Sequence, residues 1–265
     1  MNIIACVKQV PATTEVKMNK ETNTIIREGV ESVINPFDTY AVEEGLRIKD
    51  RAEGKVTVVS MGIPAVADML KQTVALGVDD CVLLSDRAFA GADTLATAYA
   101  LSMGIRKIGA YDLILCGKQA TDGDTAQVGP SLAEKLGIPH ATYVRKITGI
   151  GDGRIQCQRL TDDGYDDIEL TLPALITVVK EINEPRLPSL KGMMRAKKAE
   201  VAVWTADDVG ADKAQCGLQG SPTQVIQTFV PVHDVQSEMF EGTPEEQARK
   251  LTDRLLSMHF MKAGE

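Results

Sequence analysis

Residues 111–137 read YDLILCGKQATDGDTAQVGPSLAEKLG. The run 111–116 is apolar on both sides, the pattern of a strand buried in a parallel sheet. A polar loop follows, and then a helix that ends at Leu136 with Gly137 and Pro139 as stop signals. Pro130 would distort a helix begun at Thr125, which moves its start toward Val128.

The same rhythm runs upstream. Residues 2–7, 55–60 (KVTVVS) and 80–84 read as strands, and residues 38–49, 64–76 and 94–108 as helices. Alternation of this kind predicts an α/β fold: a doubly wound, mostly parallel, Rossmann-like sheet with helices on both faces. Downstream of His140 the pattern changes. Residues 144–148, 154–160, 167–172 and 174–178 read as strands joined by Gly/Asp turns, an antiparallel meander extending one edge of the sheet. Residues 181–198 (EINEPRLPSLKGMMRAKK) are interrupted by prolines and basic, an exposed loop followed by a short helix.

From about residue 206 the chain turns polar and Gly-rich and reads as a linker, followed by a short strand over 225–230. A C-terminal helix has Thr243 as N-cap, Pro244 at its first position and Glu246 completing a capping box. Ala248, Leu251, Leu255 and Met258 form its apolar stripe. A lone helix of ~15 residues is marginal in water, so this one needs a surface to pack on. The expected division is an α/β domain over 1–205 and a linker with a C-terminal helical arm over 206–265.

Composition narrows the function. The chain has 265 residues, 44% hydrophobic and 25% charged, and a formal net charge of −8. That balance supports a sizeable core and argues against binding to nucleic acid or an anionic membrane, which needs a basic face. No apolar run approaches the ~20 residues of a membrane span. The start, MNIIACV, reads as a strand without the basic beginning of a signal peptide. Five cysteines without CxxC spacing point to reduced thiols in a cytoplasmic setting, and three scattered histidines to no metal site. No P-loop, no GxGxxG and no nucleophile–histidine arrangement is present, so no catalytic side chain is assigned.

In an open parallel sheet, ligands bind beyond the carboxyl ends of the strands where the strand order reverses. The segments arriving there are Cys6-Val7-Lys8-Gln9, Asn35-Pro36-Phe37-Asp38, Ser60-Met61-Gly62 and the loop from Gly117 to Pro130. That loop suits a phosphate group. Gly123 permits close backbone approach or positive φ, and Asp124 or Thr125 could cap the helix, leaving first-turn N–H groups for an anion. Asp122 and Asp124 would repel phosphate unless they turn away. The same residues also fit an ordinary strand–helix loop with a capping Asp. Thr94 and Thr97, one turn apart after Asp93, could hydrogen-bond a polar ring edge or face solvent. Leu187, Leu190, Met193 and Met194 lie among basic residues, the composition of a partner-docking segment or of a solvated basic loop.

CVKQV (6–10), NPFDTYAVEEGLRIK (35–49), GKQATDGDTAQVGPSLAEKLG (117–137) and PALITVVKEINEPRLPSLKGMMRAKK (173–198), in this order, resemble the β subunit of electron-transfer flavoproteins over nearly the whole chain. The resemblance implies an adenine-nucleotide site at Cys6, Asn35, Pro36, Phe37, Asp38, Met61 and the loop Lys118, Gln119, Ala120, Thr121, Asp122, Gly123, Asp124, Thr125, Ala126, Gln127, Val128 and Gly129, bound mostly through backbone groups. DGDTAQVGP is similar to the anaerobic, electron-bifurcating members, where the pocket holds FAD with Thr94 and Thr97 near its ring; respiratory members hold AMP there. The resemblance further implies that Leu190 docks into an acyl-CoA dehydrogenase, flanked by Arg195, Lys197 and Lys198. The C-terminal arm would pack on the α subunit, which carries another FAD. NADH would be the hydride donor and ferredoxin or flavodoxin the one-electron acceptor.

Overall fold

A computed structural model describes residues 1–12, 17–19, 24–26, 31–226 and 237–260. The chain divides into two compact units, Met1–Gln227 and Thr228–Glu265.

The first unit is built on nine strands: β1 (Asn2–Cys6), β2 (Lys55–Met61), β3 (Asp80–Leu84), β4 (Leu113–Gly117), β5 (His140–Gly151), β6 (Arg154–Thr161), β7 (Gly164–Thr171), β8 (Ala174–Val178) and β9 (Ala202–Trp204). Their order across the sheet is β7-β6-β5-β8-β4-β1-β2-β3-β9. All neighbours from β5 to β9 in this order pair in parallel, and only β5-β6-β7 is antiparallel. Two short hairpin pairings, Gln9–Pro11 with Ser32–Ile34 and Lys17–Asn19 with Thr24–Ile26, stand apart from the sheet.

Alternation along the strands sends side chains to two cores. Ile3, Val56, Val58, Leu113 and Leu115 face α1 (Pro36–Arg51) and α2 (Val66–Leu76). Ile4, Val59, Leu84, Ile114 and Cys116 face α3 (Thr94–Ile108) and α4 (Val128–Leu136). The sheet is therefore doubly wound. Each fully buried Leu or Ile in these layers contributes about 1.5–3 kcal/mol. Helix boundaries follow local chemistry. Asp93 caps α3 by accepting from the Leu95 and Ala96 N–H groups. Gly137, at φ 69°, ends α4 in the left-handed conformation. The helix expected from Pro64 begins at Val66, with Pro64 in the preceding turn, its carbonyl accepting from the Ala67 N–H. The short helix expected after the basic loop is α5 (Leu190–Ala196), capped by the Ser189 hydroxyl, which accepts from the Gly192 N–H.

The structure corrects three expectations. Residues 174–178 are not part of the antiparallel meander. As β8 they run parallel between β4 and β5, because ALITV is buried at every position and needs neighbours on both sides. Residues 206–223 are not a linker. Ala206, Val209 and Cys216 are buried in the α3/α4 core. Their backbone is tied down where Asp86 accepts from the Ala206 N–H, Tyr99 Oη from the Asp212 N–H, and the second oxygen of Asp93 from the Thr223 N–H and Oγ1. The first unit accordingly runs to Gln227, not to residue 205. Of the strand expected over 225–230, Val225 and Ile226 are exposed and not in a strand; the rest lies outside the described residues.

In the second unit, α6 (Pro244–Ser257) carries the complete capping box of Thr243 and Glu246. An ion pair of 2.9 Å joins Arg254 to Glu238. Leu251 and Met258, on its apolar stripe, are exposed.

Candidate functional site

The strand order reverses between β1 and β4. From β1 the chain winds outward through β2 and β3, then crosses back to place β4 on the other side of β1. Near their ends they are in register, Cys6 beside Cys116, and both point to the α3/α4 face, as does Met61 at the end of β2. α3 and α4 each follow a parallel strand, so their N-termini open on this same edge. This is the edge at which open parallel sheets bind their ligands.

Four segments build it. α1 starts at Pro36, and the side chain of Asn35, wholly buried, ties the fourth segment down. Its Nδ2 donates to the Gln119 carbonyl over 2.8 Å and its Oδ1 accepts from the Thr121 N–H over 3.0 Å. Asp38, 7% exposed, accepts from the Lys8 N–H over 2.7 Å, and the Gly117 N–H faces the same carboxyl. A Cβ at Gly117 would lie 2.8 Å from the Asp38 nitrogen, so only glycine lets α1 sit against the end of β4. Burial raises the Asp38 carboxyl to about 7, although Asn35, the two amides and Lys8 oppose it. The Cys116 thiol is pushed well up by its hydrogen bond with Cys6 and by burial, so it is not a thiolate nucleophile.

The loop 118–127 arranges its charges among themselves. Asp122 pairs with Lys8 Nζ at 2.6 Å, and Asp124 accepts from the Gln119 amide. Neither aspartate caps α4. Its N-cap is Gln127, without a side-chain bond, so the dipole end and the first-turn amides of Val128 and Gly129 are left without a capping side chain. Pro130 falls in this first turn, where its missing N–H costs nothing. Positive φ falls on Asp124 (53°) and Ala126 (54°), not on Gly123 as expected. Strain of this kind, about 1–3 kcal/mol per residue, gathers at ligand sites. A Cβ at Gly123 would meet nothing within 4 Å, so the loop is open there.

Two features of this edge escape a reading of the sequence. The first is an aromatic setting for Lys118, whose Nζ lies 5.2 Å from the Tyr143 ring and 5.8 Å from that of Phe37. Tyr143 gets there through a bulge: Thr142 and Tyr143 of β5 oppose Thr177 alone, with Tyr143 at φ 57° and its N–H donating to Thr177 Oγ1. No periodicity announces that bulge. The second is the pairing of Lys8 with Asp122, which spans more than a hundred residues of chain. The edge therefore holds two ammonium groups besides its amides. Among the other expected residues, Pro36 is exposed at the start of α1. Thr94 and Thr97 are half-buried in the first turn of α3, on the face of the floor formed by Cys6, Cys116 and Met61. Apolar residues Cys6, Cys116 and Met61, a helix N-terminus and two ammonium groups share this edge, a set of groups compatible with a nucleotide.

The sequence pattern of the electron transfer flavoprotein domain matches residues 22–209. The chain belongs to the electron transfer flavoprotein family. It is 50% identical over 98% of its length to the electron transfer flavoprotein subunit beta of Thermoanaerobacterium thermosaccharolyticum, covering 99% of that protein. It is 46% identical to the subunit beta of Clostridium acetobutylicum, over 98% of this chain and 100% of that one. The same identity and coverage relate it to the caffeyl-CoA reductase-Etf complex subunit CarD of Acetobacterium woodii. Its relatives over nearly full length are β subunits, which makes it an electron transfer flavoprotein β subunit, acting in electron transfer. No described helix is long and apolar enough to cross a membrane.

A second surface of this β subunit stands out. Leu187, Leu190 and Met194 are 88%, 79% and 68% exposed, around α5. The segment is held from behind. Arg186 makes a forked contact with the buried Glu43 of α1, at 2.8 and 3.2 Å, and reaches Asp50. Burial alone would push the Glu43 carboxyl up, but Arg186 and Arg47 outweigh it and hold it below the carboxylate range. Arg195 does not flank Leu190 as a free charge: its guanidinium donates to the Val74 and Val78 carbonyls at the end of α2. Lys197 and Lys198 are exposed.

Proposed function

We propose that this β subunit holds FAD in the cleft between β1 and β4 and takes part in bifurcating the electrons of NADH. One electron would go to ferredoxin or flavodoxin and the other, through the α subunit's FAD, to an acyl-CoA dehydrogenase. The observation that carries the reading is the loop 118–129. Its two aspartates are engaged by Lys8 and Gln119, and it ends on the uncapped N-terminus of α4 with open space at Gly123. A diphosphate at that N-terminus would be met by amides, and small residues leave room for the larger of the two candidate ligands. The clostridial relatives and the acetogenic CarD favour the anaerobic type and an acyl-CoA-linked partner.

When bound, FAD supplies hydride acceptance and single-electron transfer. The chain's own residues bind and orient. Val128 and Gly129 would face phosphate oxygens, Lys8 and Lys118 supply charge at the rim, and Cys6, Cys116 and Met61 form the floor. Thr94 and Thr97 would border the ring. Leu190, with Leu187 and Met194, would seat in the dehydrogenase, beside the charges of Lys197 and Lys198. The C-terminal arm would pack on the α subunit. Five buried free thiols suit a reducing compartment, the cytoplasm.

The test is extraction of the small molecules bound to the purified αβ complex. Two equivalents of FAD per complex are expected. One FAD with one AMP would replace this reading by a structural AMP site.

A further inference from the structure

We propose that binding a nucleotide diphosphate at the ends of β1 and β4 is coupled to uptake of a proton by Asp38. The inference rests on the nucleotide reading of this cleft and adds a property to it.

The geometry places Asp38 at the centre of the cleft's charge balance. Its carboxyl is buried in the first turn of α1 and accepts from the Lys8 N–H, two residues past β1, with the Gly117 N–H, the last of β4, facing it. The ionisable groups shown beside it are few: Lys8, whose ammonium is bound to Asp122, and the thiol of Cys116, which bonds with that of Cys6. Lys118, Asp122 and Asp124 lie in the loop that follows β4. Asn35 beside Asp38 is neutral, and the helix itself adds Tyr40 two residues on. With every carboxylate ionised, this edge carries three negative charges (Asp38, Asp122, Asp124) and two positive ones (Lys8, Lys118). A diphosphate at the N-terminus of α4 adds two more negative charges to this edge. Asp122 and Asp124 are exposed and partnered, so water and their partners absorb the change. Asp38 has no solvent to do so, and neutralising it is the cheapest response. Its carboxyl already titrates at about 7, so the anion's field acts where a small shift moves a proton.

The sign follows from linkage. If the bound anion raises the Asp38 carboxyl by about one unit, roughly 0.4 proton is taken up per nucleotide at neutral pH. Affinity then weakens by about fivefold as pH rises from about 6 to about 8.

The experiment is calorimetric titration of the αβ complex, with the β site emptied, using FAD in buffers of different ionisation enthalpy. FAD's diphosphate has no proton to exchange near neutrality. Proton uptake centred near neutral pH is expected in the wild type, lost in Asp38→Asn and kept in Asp122→Asn. FAD binding with no proton uptake across that range, or uptake that persists in a folded Asp38→Asn complex, would overturn the coupling while leaving the nucleotide site standing. If Asp38→Asn does not fold, the wild-type proton count decides. Failure of both FAD and AMP to bind would reject the nucleotide reading, and the coupling with it.

Discussion

The amide of Thr121 donates to the side-chain oxygen of Asn35 across 3.0 Å, joining the loop after β4 to the start of α1, 86 residues earlier. With the partner bond from Asn35 Nδ2 to the Gln119 carbonyl, one buried side chain sets the path of the loop. An arrangement in which a single polar residue satisfies two backbone groups is brittle, and it makes the cleft's shape a property of α1 as much as of the loop.

Asn35→Ala should therefore cost about 1–3 kcal/mol of stability and lower nucleotide affinity. Chemical denaturation reads the first and amide exchange at Thr121 locates the cause. Unchanged protection of that amide would show that the loop holds its path without Asn35.

Gly129 tests how closely α4 must approach the sheet. A Cβ there would run into the Thr177 methyl group. Gly129→Ala should thus destabilise by about 1–3 kcal/mol and displace the first turn of α4. Thr177→Ser removes that methyl while keeping the hydroxyl that accepts from the Tyr143 N–H. Adding it to Gly129→Ala should recover most of the loss. A double variant no better than the single one would place the difficulty in the helix backbone.

Asp38 gives the free chain a pH dependence of definite sign. Its carboxyl loses its proton near 3.8 when unfolded and only at about 7 when folded. Between those values the folded state holds more protons, so this group's contribution to stability falls as pH rises from about 4 to about 7 and then levels off. Asp38→Asn should remove that slope. Urea denaturation at a pH of about 5 and of about 8 should show the variant gaining on the wild type at the higher value. An equal difference at both would contradict the assignment.

At the segment around α5, two substitutions should separate surface from support. Leu190 is exposed. Leu190→Ala should leave stability unchanged to within about 0.5 kcal/mol. The flavin should stay bound, while electron delivery to the dehydrogenase slows several-fold. Arg186→Ala strips the buried Glu43 of its forked partner. That loss should cost about 1–3 kcal/mol. Dehydrogenase kinetics insensitive to Leu190→Ala would remove Leu190 from the interface.

Gly123→Glu probes charge without crowding, since space is open there. Melting temperature should hold while nucleotide affinity drops several-fold, through repulsion of the phosphates. Equal affinity in a binding titration would move the phosphates away from this loop.

Local periodicity determined much of this protein. The strands KVTVVS and LILC, the capping box at Thr243, the stop at Gly137 and the loop after β4 are legible because each depends on neighbours within a few residues. The tertiary structure decided where polar groups spend their hydrogen bonds, because those partners lie tens to over a hundred residues away. Asp122 turned to Lys8, Arg195 to the carbonyls ending α2, and Asp93 used its second oxygen to hold Thr223, which drew 206–223 into the core. Likewise ALITV reads as a strand from its own residues, but only the place open between β4 and β5 made it a parallel, central one.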